Sequence, residues 1–347
     1  MPYQIGIVGA GALTRIALAP TLAQMPEARL AVVLDPDPRA LETIAPLCPD
    51  AVLTTDVERF FATDLDAVHV ATPNHLHESY ACRAMAAGLP TLVDKPLAHT
   101  VEAGRRIVAA AAQTGTTALI GYMAKHNAAN IEALRLVQAG EIGAPQAMVA
   151  ARLGWRKYDW RSRRAEGGLG CLADLGIYPV LTAVDLFGAD PVRVQASAFP
   201  VDDPDRTELY AQATLWFGDR RYLHFETSFA FDEQPASAEV SGYSLVGEEG
   251  VLQVSGGWAM NGGGTVDYCN KSGWHSAAVT PVDPYAAQYR TLMACAAGAP
   301  VPEALSLSRA LTDLEILYAI SDCAADGSGP APIRLRAALD PAVEAAV

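Results

Sequence analysis

The sequence predicts an α/β chain in two parts: a doubly wound parallel sheet over residues 1–124, then an α+β part over 125–347 built on an open, mainly antiparallel sheet. Three observations predict it. Short apolar runs alternate with amphipathic stretches through the first third, the pattern of βαβ units. That texture stops near residue 125. Beyond it come longer runs of two-residue alternation, two of them joined by Gly218-Asp219, a turn that suits a hairpin.

Along the first part, strands are expected at Ile5 to Val8, Leu30 to Leu34, Ala67 to Val70, Thr91 to Val93 and Thr117 to Gly121. Helices are expected at Ala12 to Met25, Ala40 to Leu47, His75 to Ala87 (stopped by Gly88) and Val101 to Gln113 (stopped by Gly115). Right-handed crossovers then put helices on both faces. In the second part a helix, Asn130 to Ala139, leads to a strand at Gln146 to Leu153, and a helix around Asp174 to Phe187 follows. Strands then run at Val192 to Ala198, Leu209 to Phe217, Tyr222 to Phe229 and Glu239 to Val246, and Gly262-Gly263-Gly264 reads as a loop. In Leu209 to Phe217, Leu209, Ala211, Ala213, Leu215 and Phe217 share one face, and Tyr210, Gln212, Thr214 and Trp216 the other. Tyr and Trp among polar groups suit a subunit interface, so a homodimer or homotetramer through this sheet is expected.

Bulk properties exclude several classes. With 347 residues, 51% hydrophobic and 18% charged, the chain is globular and too long for one ordinary core. Against 25 Lys+Arg stand 39 Asp+Glu, and the net charge of −14 argues against nucleic acid as a partner. No long stretch is free of charged or turn residues, so no membrane span is expected. Met1 to Gln4 run straight into an apolar strand, which leaves no room for a leader and points to the cytoplasm. The six cysteines lack CxxC spacing and read as reduced, buried thiols.

Gly9-Ala10-Gly11-Ala12-Leu13-Thr14 follows the first strand and opens the first helix. Gly9 permits the tight turn, and Gly11 lets backbone N–H groups, with Ala12 and Leu13 alongside, approach a pyrophosphate at the positive helix end. The third glycine of the usual fingerprint is Thr14 here. Asp35 ends the second strand, where a carboxylate accepts hydrogen bonds from both adenosine ribose hydroxyls. A 2′-phosphate at about 4 Å would cost roughly 1–4 kcal/mol against it, which Arg39 in the same loop partly offsets. NAD rather than NADP is the expected cofactor.

Three more motifs follow: Ala71-Thr72-Pro73-Asn74-His75-Leu76-His77, then Asp94-Lys95-Pro96, then Gly167-Gly168-Leu169-Gly170-Cys171-Leu172-Ala173-Asp174-Leu175-Gly176-Ile177-Tyr178. With the glycine loop, their order and spacing over nearly the whole chain resemble the Gfo/Idh/MocA oxidoreductases, which include glucose–fructose oxidoreductase and inositol and sugar dehydrogenases. The resemblance implies a Rossmann domain and an open-sheet α/β domain, with nicotinamide and substrate in the cleft between them. It implies that Lys95 is the catalytic lysine of a Glu-Lys-Pro motif, with Asp94 one methylene shorter than the usual ribose-binding glutamate. It also implies cofactor contacts by Thr72, Pro73, Asn74 and His77, by the Trp160-Arg161 pair, and by Tyr285 from a late helix. Tyr178 stands where many members carry histidine, which resembles the glucose–fructose oxidoreductase, xylose dehydrogenase and dihydrodiol dehydrogenase branch.

Independently of the family, Lys95 lies at the carboxyl end of a parallel strand, where open α/β sheets place ligands. A lysine there can hold an alcohol oxygen and exchange its proton if its pKa is depressed. The i, i+4 spacing of Asp174 and Tyr178 puts both on one helix face. The resemblance implies that Tyr178 then handles the proton, with Lys95 lowering its pKa through charge, and that Asp174 binds a neighbouring hydroxyl or orients Lys95. Which of Lys95 and Tyr178 carries the proton stays open. Asn74 reads as a helix N-cap after Pro73, and Lys95-Pro96 as a candidate cis bond. His75 and His77 lack the companions of a metal site, so no metal is expected. The basic, aromatic run Trp155 to Arg164 either binds an anionic substrate group or is a solvated loop paired with Asp159 and Glu166.

The function these residues predict is NAD(P)-dependent hydride transfer between nicotinamide and a hydroxyl or carbonyl of a sugar, polyol or diol. The alternatives are a redox-neutral, NAD-using glycosidase or eliminase, and a non-catalytic dinucleotide-binding sensor. A sensor has no chemical need for Lys95, Asp174 and Tyr178 together.

Overall fold

Six parallel strands form the first sheet: β1 (Tyr3–Val8), β2 (Ala28–Leu34), β3 (Val52–Thr54), β4 (Ala67–Val70), β5 (Thr91–Asp94) and β6 (Ala118–Gly121). The computed structural model describes residues 2–155, 159–200, 203–231, 240–327 and 329–335. The strand order is β3-β2-β1-β4-β5-β6, so the winding reverses between β1 and β4. Val32 and Val33, adjacent in β2, are both fully buried, as a sheet covered on both faces requires. β3 and the short helix Val57–Phe61 were not expected; a three-residue strand leaves too little periodicity to read.

Local chemistry explains the helix ends. Asp37 and Asp56 cap their helices by accepting backbone N–H groups, and Thr100 Oγ1 accepts from Ala103 N–H at 3.2 Å. Gly115, at φ +63°, ends the Val101–Thr114 helix in the left-handed conformation. The first helix, residues 12–24, carries a π turn over Thr14–Leu18. Pro20 has no N–H to give the Ile16 carbonyl, and the ladder adjusts by bonding Ala19 N–H to the Thr14 carbonyl.

The second sheet has nine strands: β7 (Pro145–Trp155), β8 (Arg193–Phe199), β9 (Tyr210–Trp216), β10 (Tyr222–Phe231), β11 (Val240–Gly247), β12 (Val251–Ser255), β13 (Thr265–Asn270), β14 (Gly273–Ala277) and β15 (Ala331–Pro332). Their order is β14-β13-β12-β11-β7-β10-β9-β8-β15, antiparallel throughout except for β7 against β10. β9 and β10 form the hairpin expected at Gly218. Ala211, Ala213 and Leu215 are buried on the inner face of β9, while Tyr210, Gln212, Thr214 and Trp216 stay partly exposed on the other. Glu239, expected to open a strand, lies outside the described residues, and β12 to β14 were not foreseen. By length and composition alone the helical stretch 164–187 could cross a membrane, although it contains Asp174, Pro179 and Asp185. Of its most apolar window, 83% is buried inside the protein, and packing accounts for that composition.

The chain separates into two compact units, and they are not consecutive. The first holds residues 1–131 with 256–264 and 278–307; the second holds 132–255, 265–277 and 308 onward. A single cut after residue 124 therefore gives way to a chain that returns to the first unit twice. Asn127 and Asn130 show how the first unit keeps these returning pieces. Asn127 Nδ2 donates to the Gly263 carbonyl at 3.1 Å while its Oδ1 accepts from Ala129 N–H at 2.9 Å, and Asn130 Nδ2 donates to Gly257 at 2.6 Å. The helix Pro284–Ala296 joins the first unit as well, with Tyr289 bonded to His69 of β4 at 2.9 Å.

Candidate active site

The glycine loop leaves an opening at the start of the first helix. Gly9, at φ +107°, donates to the Leu34 carbonyl at 2.7 Å, and a side chain there would collide with the Ala71 carbonyl. Beside Gly11 the space is open, with nothing within 4 Å of where a Cβ would stand, and Ala12 opens the helix. A pyrophosphate fits that opening at the positive helix end. Thr14, in place of the third glycine, is fully buried and donates its hydroxyl to the Gly9 carbonyl at 2.6 Å, tying the helix to the loop. Asp35 does two jobs at once: Oδ2 accepts Ala10 N–H at 2.8 Å and Oδ1 accepts Asp37 N–H at 2.9 Å. Each oxygen keeps a lone pair for a ribose hydroxyl. Arg39 is exposed on the first turn of its helix, its N–H accepted by Asp37.

The carboxyl ends of β4 and β5 are stapled together by His77. Its ring is fully buried, with Nδ1 3.0 Å from the Pro96 carbonyl and Nε2 3.0 Å from the Thr72 carbonyl. A neutral imidazole donates to only one of them. Burial pushes its pKa down to about 4, against the pull of the carbonyls. His77 thus positions the Thr72 and Lys95 loops through both of its ring nitrogens. Asn74, expected as a helix N-cap, lies instead inside a 3₁₀ turn, Asn74–Leu76, with Pro73 in the cap position and no side-chain cap bond. The reason is that the chain enters the His77–Ala86 helix through that tighter turn. Lys95-Pro96 is cis.

Two residues behind this loop had no recognised signal beyond polarity in apolar surroundings. His69 sits mid-strand in β4, and burial lowers its pKa to about 3. The buried phenol of Tyr289 is pushed upward by burial and by the charges of Asp94 and Asp283. Tyr285 starts the same helix, its N–H accepted by Asp283 at 2.9 Å, and lines a groove of about 440 Å³ with Ile16, Thr21, Gln24 and Met260. Among the described residues no cluster of three or more His, Cys, Asp or Glu could hold a metal.

In the second unit, Asp174 and Tyr178 stand on the helix over residues 171–187. It starts a little earlier than expected and carries a π turn, Leu172–Gly176, so the pair spans a junction of helix types. Pro179 withholds an N–H from Leu175, the same cause as at Pro20. Glu208, which sequence reasoning missed, anchors the helix start: its Oε1 accepts Gly170 N–H at 2.7 Å and Leu172 N–H at 3.0 Å. Burial pushes this carboxyl upward, and the two N–H donors oppose that. Gly170 has no room for a side chain against the Glu208 backbone.

Arg161 joins Asp174. Its Nη1 bonds Asp159 at 2.6 Å, its Nε lies 3.5 Å from Asp174, and its guanidinium stacks 4.3 Å over Trp160. Arg163 pairs with Glu166 at 2.5 Å, the solvated-loop reading of this segment, while Arg156, Lys157 and Tyr158 lie outside the described residues. Arg152, also missed, places its guanidinium 5.5 Å from the Tyr178 ring centroid. The residues expected at the cofactor from Gly9 through Lys95, with Tyr285, fall in the first unit; Trp160, Arg161, Asp174 and Tyr178 fall in the second.

Residues 3–122 match the NAD-binding Rossmann fold of the GFO/IDH/MocA oxidoreductases, and residues 131–253 match the GFO/IDH/MocA C-terminal domain. The chain belongs to this family of oxidoreductases. The inositol 2-dehydrogenase of Burkholderia multivorans is 32% identical over 148 residues, 42% of this chain and 44% of that protein. The dTDP-3,4-didehydro-2,6-dideoxy-alpha-D-glucose 3-reductase of Streptomyces violaceoruber is 30% identical over 193 residues, 54% of each. The chain spans about half the length of the curated relatives it matches. Among solved structures, the aldose-aldose oxidoreductase from Caulobacter crescentus, complexed with glycerol, is 25% identical with a TM-score of 0.84, over 96% of this chain and 100% of that one.

Proposed function

We propose that this chain transfers a hydride between NAD and a hydroxyl or carbonyl carbon of a sugar, polyol or diol. One observation carries the reading: the glycine loop, Asp35, the Thr72 turn and Lys95 follow the carboxyl ends of β1, β2, β4 and β5 of one parallel sheet. Relatives named for inositol and for a deoxysugar nucleotide, and a similar structure complexed with glycerol, support the substrate class.

Bound nicotinamide supplies the hydride acceptor or donor. The Asp35 carboxylate receives the ribose hydroxyls and disfavours a 2′-phosphate by roughly 1–4 kcal/mol, with Arg39 as a partial offset. Lys95 holds the reacting oxygen with its ammonium group. Tyr178 gives or takes the proton of that oxygen, and Asp174 accepts a hydrogen bond from a neighbouring hydroxyl. The outer face of the nine-stranded sheet, with Val149, Val240 and Val246 exposed beside Tyr222, is the surface through which we expect a homodimer or homotetramer to form.

The test follows reduced-nicotinamide absorbance with NAD or NADP against aldoses, inositols, sugar acids and diols. Turnover is expected on at least one, faster with NAD, with kcat lower by roughly 10²–10⁴-fold in both Lys95→Ala and Tyr178→Phe. NAD binding without turnover on any of these, or an undiminished rate after Lys95→Ala, rejects the proposal.

A further inference from the structure

We propose that Arg152 sets the proton affinity of Tyr178: its buried guanidinium, lying against the phenol ring, is a fixed positive charge that favours the deprotonated form. The inference rests on the reading of Tyr178 as the acid/base group, and it assigns Arg152 a positioning role through that residue.

Arg152 belongs to β7, between β10 and β11, in register with Thr227 and Ser241. Its neighbours on the same face, Met148 and Ala150, are core residues, and Arg152 itself is only 6% exposed. Nη1 donates to Ser241 Oγ at 2.6 Å, which fixes where the group points. That orientation puts the charge 5.5 Å from the centre of the Tyr178 ring, which is 9% exposed. A cation is attracted to a neutral aromatic face, and the attraction grows when the phenol loses its proton. Exclusion of water at both partners strengthens the effect.

The surrounding charges sort by element. On the helix of Tyr178 itself stand two carboxylates, Asp174, which lies 3.5 Å from Arg161, and Asp185, whose charge acts on Tyr243 of β11. At the helix start, Glu208 receives two backbone N–H groups, and burial keeps Cys171 a thiol. From β10 the inward residues Leu223, Phe225, Thr227 and Phe229 carry no charge. β7 supplies the cation, through Arg152.

The experiment is a pH titration of ¹³C-labelled tyrosine by NMR on the full chain, with Tyr178→Phe identifying the Tyr178 resonance. In Arg152→Met the midpoint should move upward by about one pH unit or more. Arg152→Lys, which keeps the charge, should bring it back to within a few tenths. The limb of the kcat/KM profile that belongs to Tyr178 should move with it. Arg152→Gln gives the same neutral comparison if the methionine variant does not fold. An unmoved midpoint in the neutral variants, or no recovery with lysine, overturns the inference. If Tyr178→Phe keeps full turnover, the acid/base reading fails instead, and the NMR midpoints still decide whether Arg152 acts on the phenol.

Discussion

β2 and β9 bury their side chains by different rules. In β2, Val32, Val33 and Leu34 are all buried, so both faces of the strand are core. In β9 the buried positions alternate, with Ala211, Ala213 and Leu215 inward and Tyr210, Gln212 and Trp216 outward. A parallel sheet built from crossovers is covered on both faces, whereas an antiparallel sheet can leave one face to solvent or to a partner. The chemistry follows the same division. In the first unit, site residues stand on loops after strands and are held by backbone bonds, as Asp35 and His77 are. In the second they stand on a helix whose inner face meets side chains of the sheet, as Tyr178 meets Arg152.

The sharpest way to break this comparison is to truncate neighbours. Leu215→Ala in β9 should cost about 2–5 kcal/mol, and both Val32→Ala and Val33→Ala in β2 should cost about 1–2 kcal/mol despite pointing to opposite faces. Urea denaturation checks this, and a near-neutral result at either valine would mean that one face of the first sheet is open.

Acid should separate the two units next. His69, His77 and His126 are held neutral by burial, with pKa values down to about 3, 4 and 4. A depressed folded-state value gives stability that is present above pH 6.5 and lost progressively as pH falls from 6.5 to the folded values. His69 and His77 should each remove roughly 2 kcal/mol by pH 4.5. All three belong to the first unit. Glu208, in the second, has its pKa raised by burial and contributes with the opposite sign. Chemical denaturation between pH 7.5 and 4.5 should show falling stability, with a flatter slope in His69→Phe. An unchanged slope in that variant would remove His69 from the account.

The smallest effect is expected at the outward neighbour of Leu215. Trp216→Ala should change the stability of a dissociated subunit by no more than about 1 kcal/mol, since the side chain is partly exposed and stacks on Arg193, 4.7 Å away. Sedimentation should nevertheless show weaker self-association. A Trp216→Ala protein that assembles like the parent would move the proposed interface off this face.

Much of the candidate site was legible before the fold. Gly9, Gly11, Asp35, Lys95, Asp174 and Tyr178 carry their chemistry in short spacings, and the backbone at Gly9 and the cap at Asp37 confirm the local turns. What escaped was long-range. Glu208 and Arg152 lie about twenty residues along the chain from the helix they serve, and no local pattern says which groups they meet. His77 stood in a visible motif, but the carbonyls from separate loops that its two ring nitrogens meet were not legible there.

The sequence by itself determined the alternation of strands and helices, the glycine turn, the proline interruptions and which face of each antiparallel strand is apolar, since these depend on steric and solvation preferences of residues a few positions apart. Tertiary structure alone decided that residues 256–264 and 278–307 return to the first unit, and which buried polar groups meet. The physical reason is that a buried donor must find an acceptor wherever the chain brings one, as Asn127 finds the Gly263 carbonyl, and no local pattern encodes that distance.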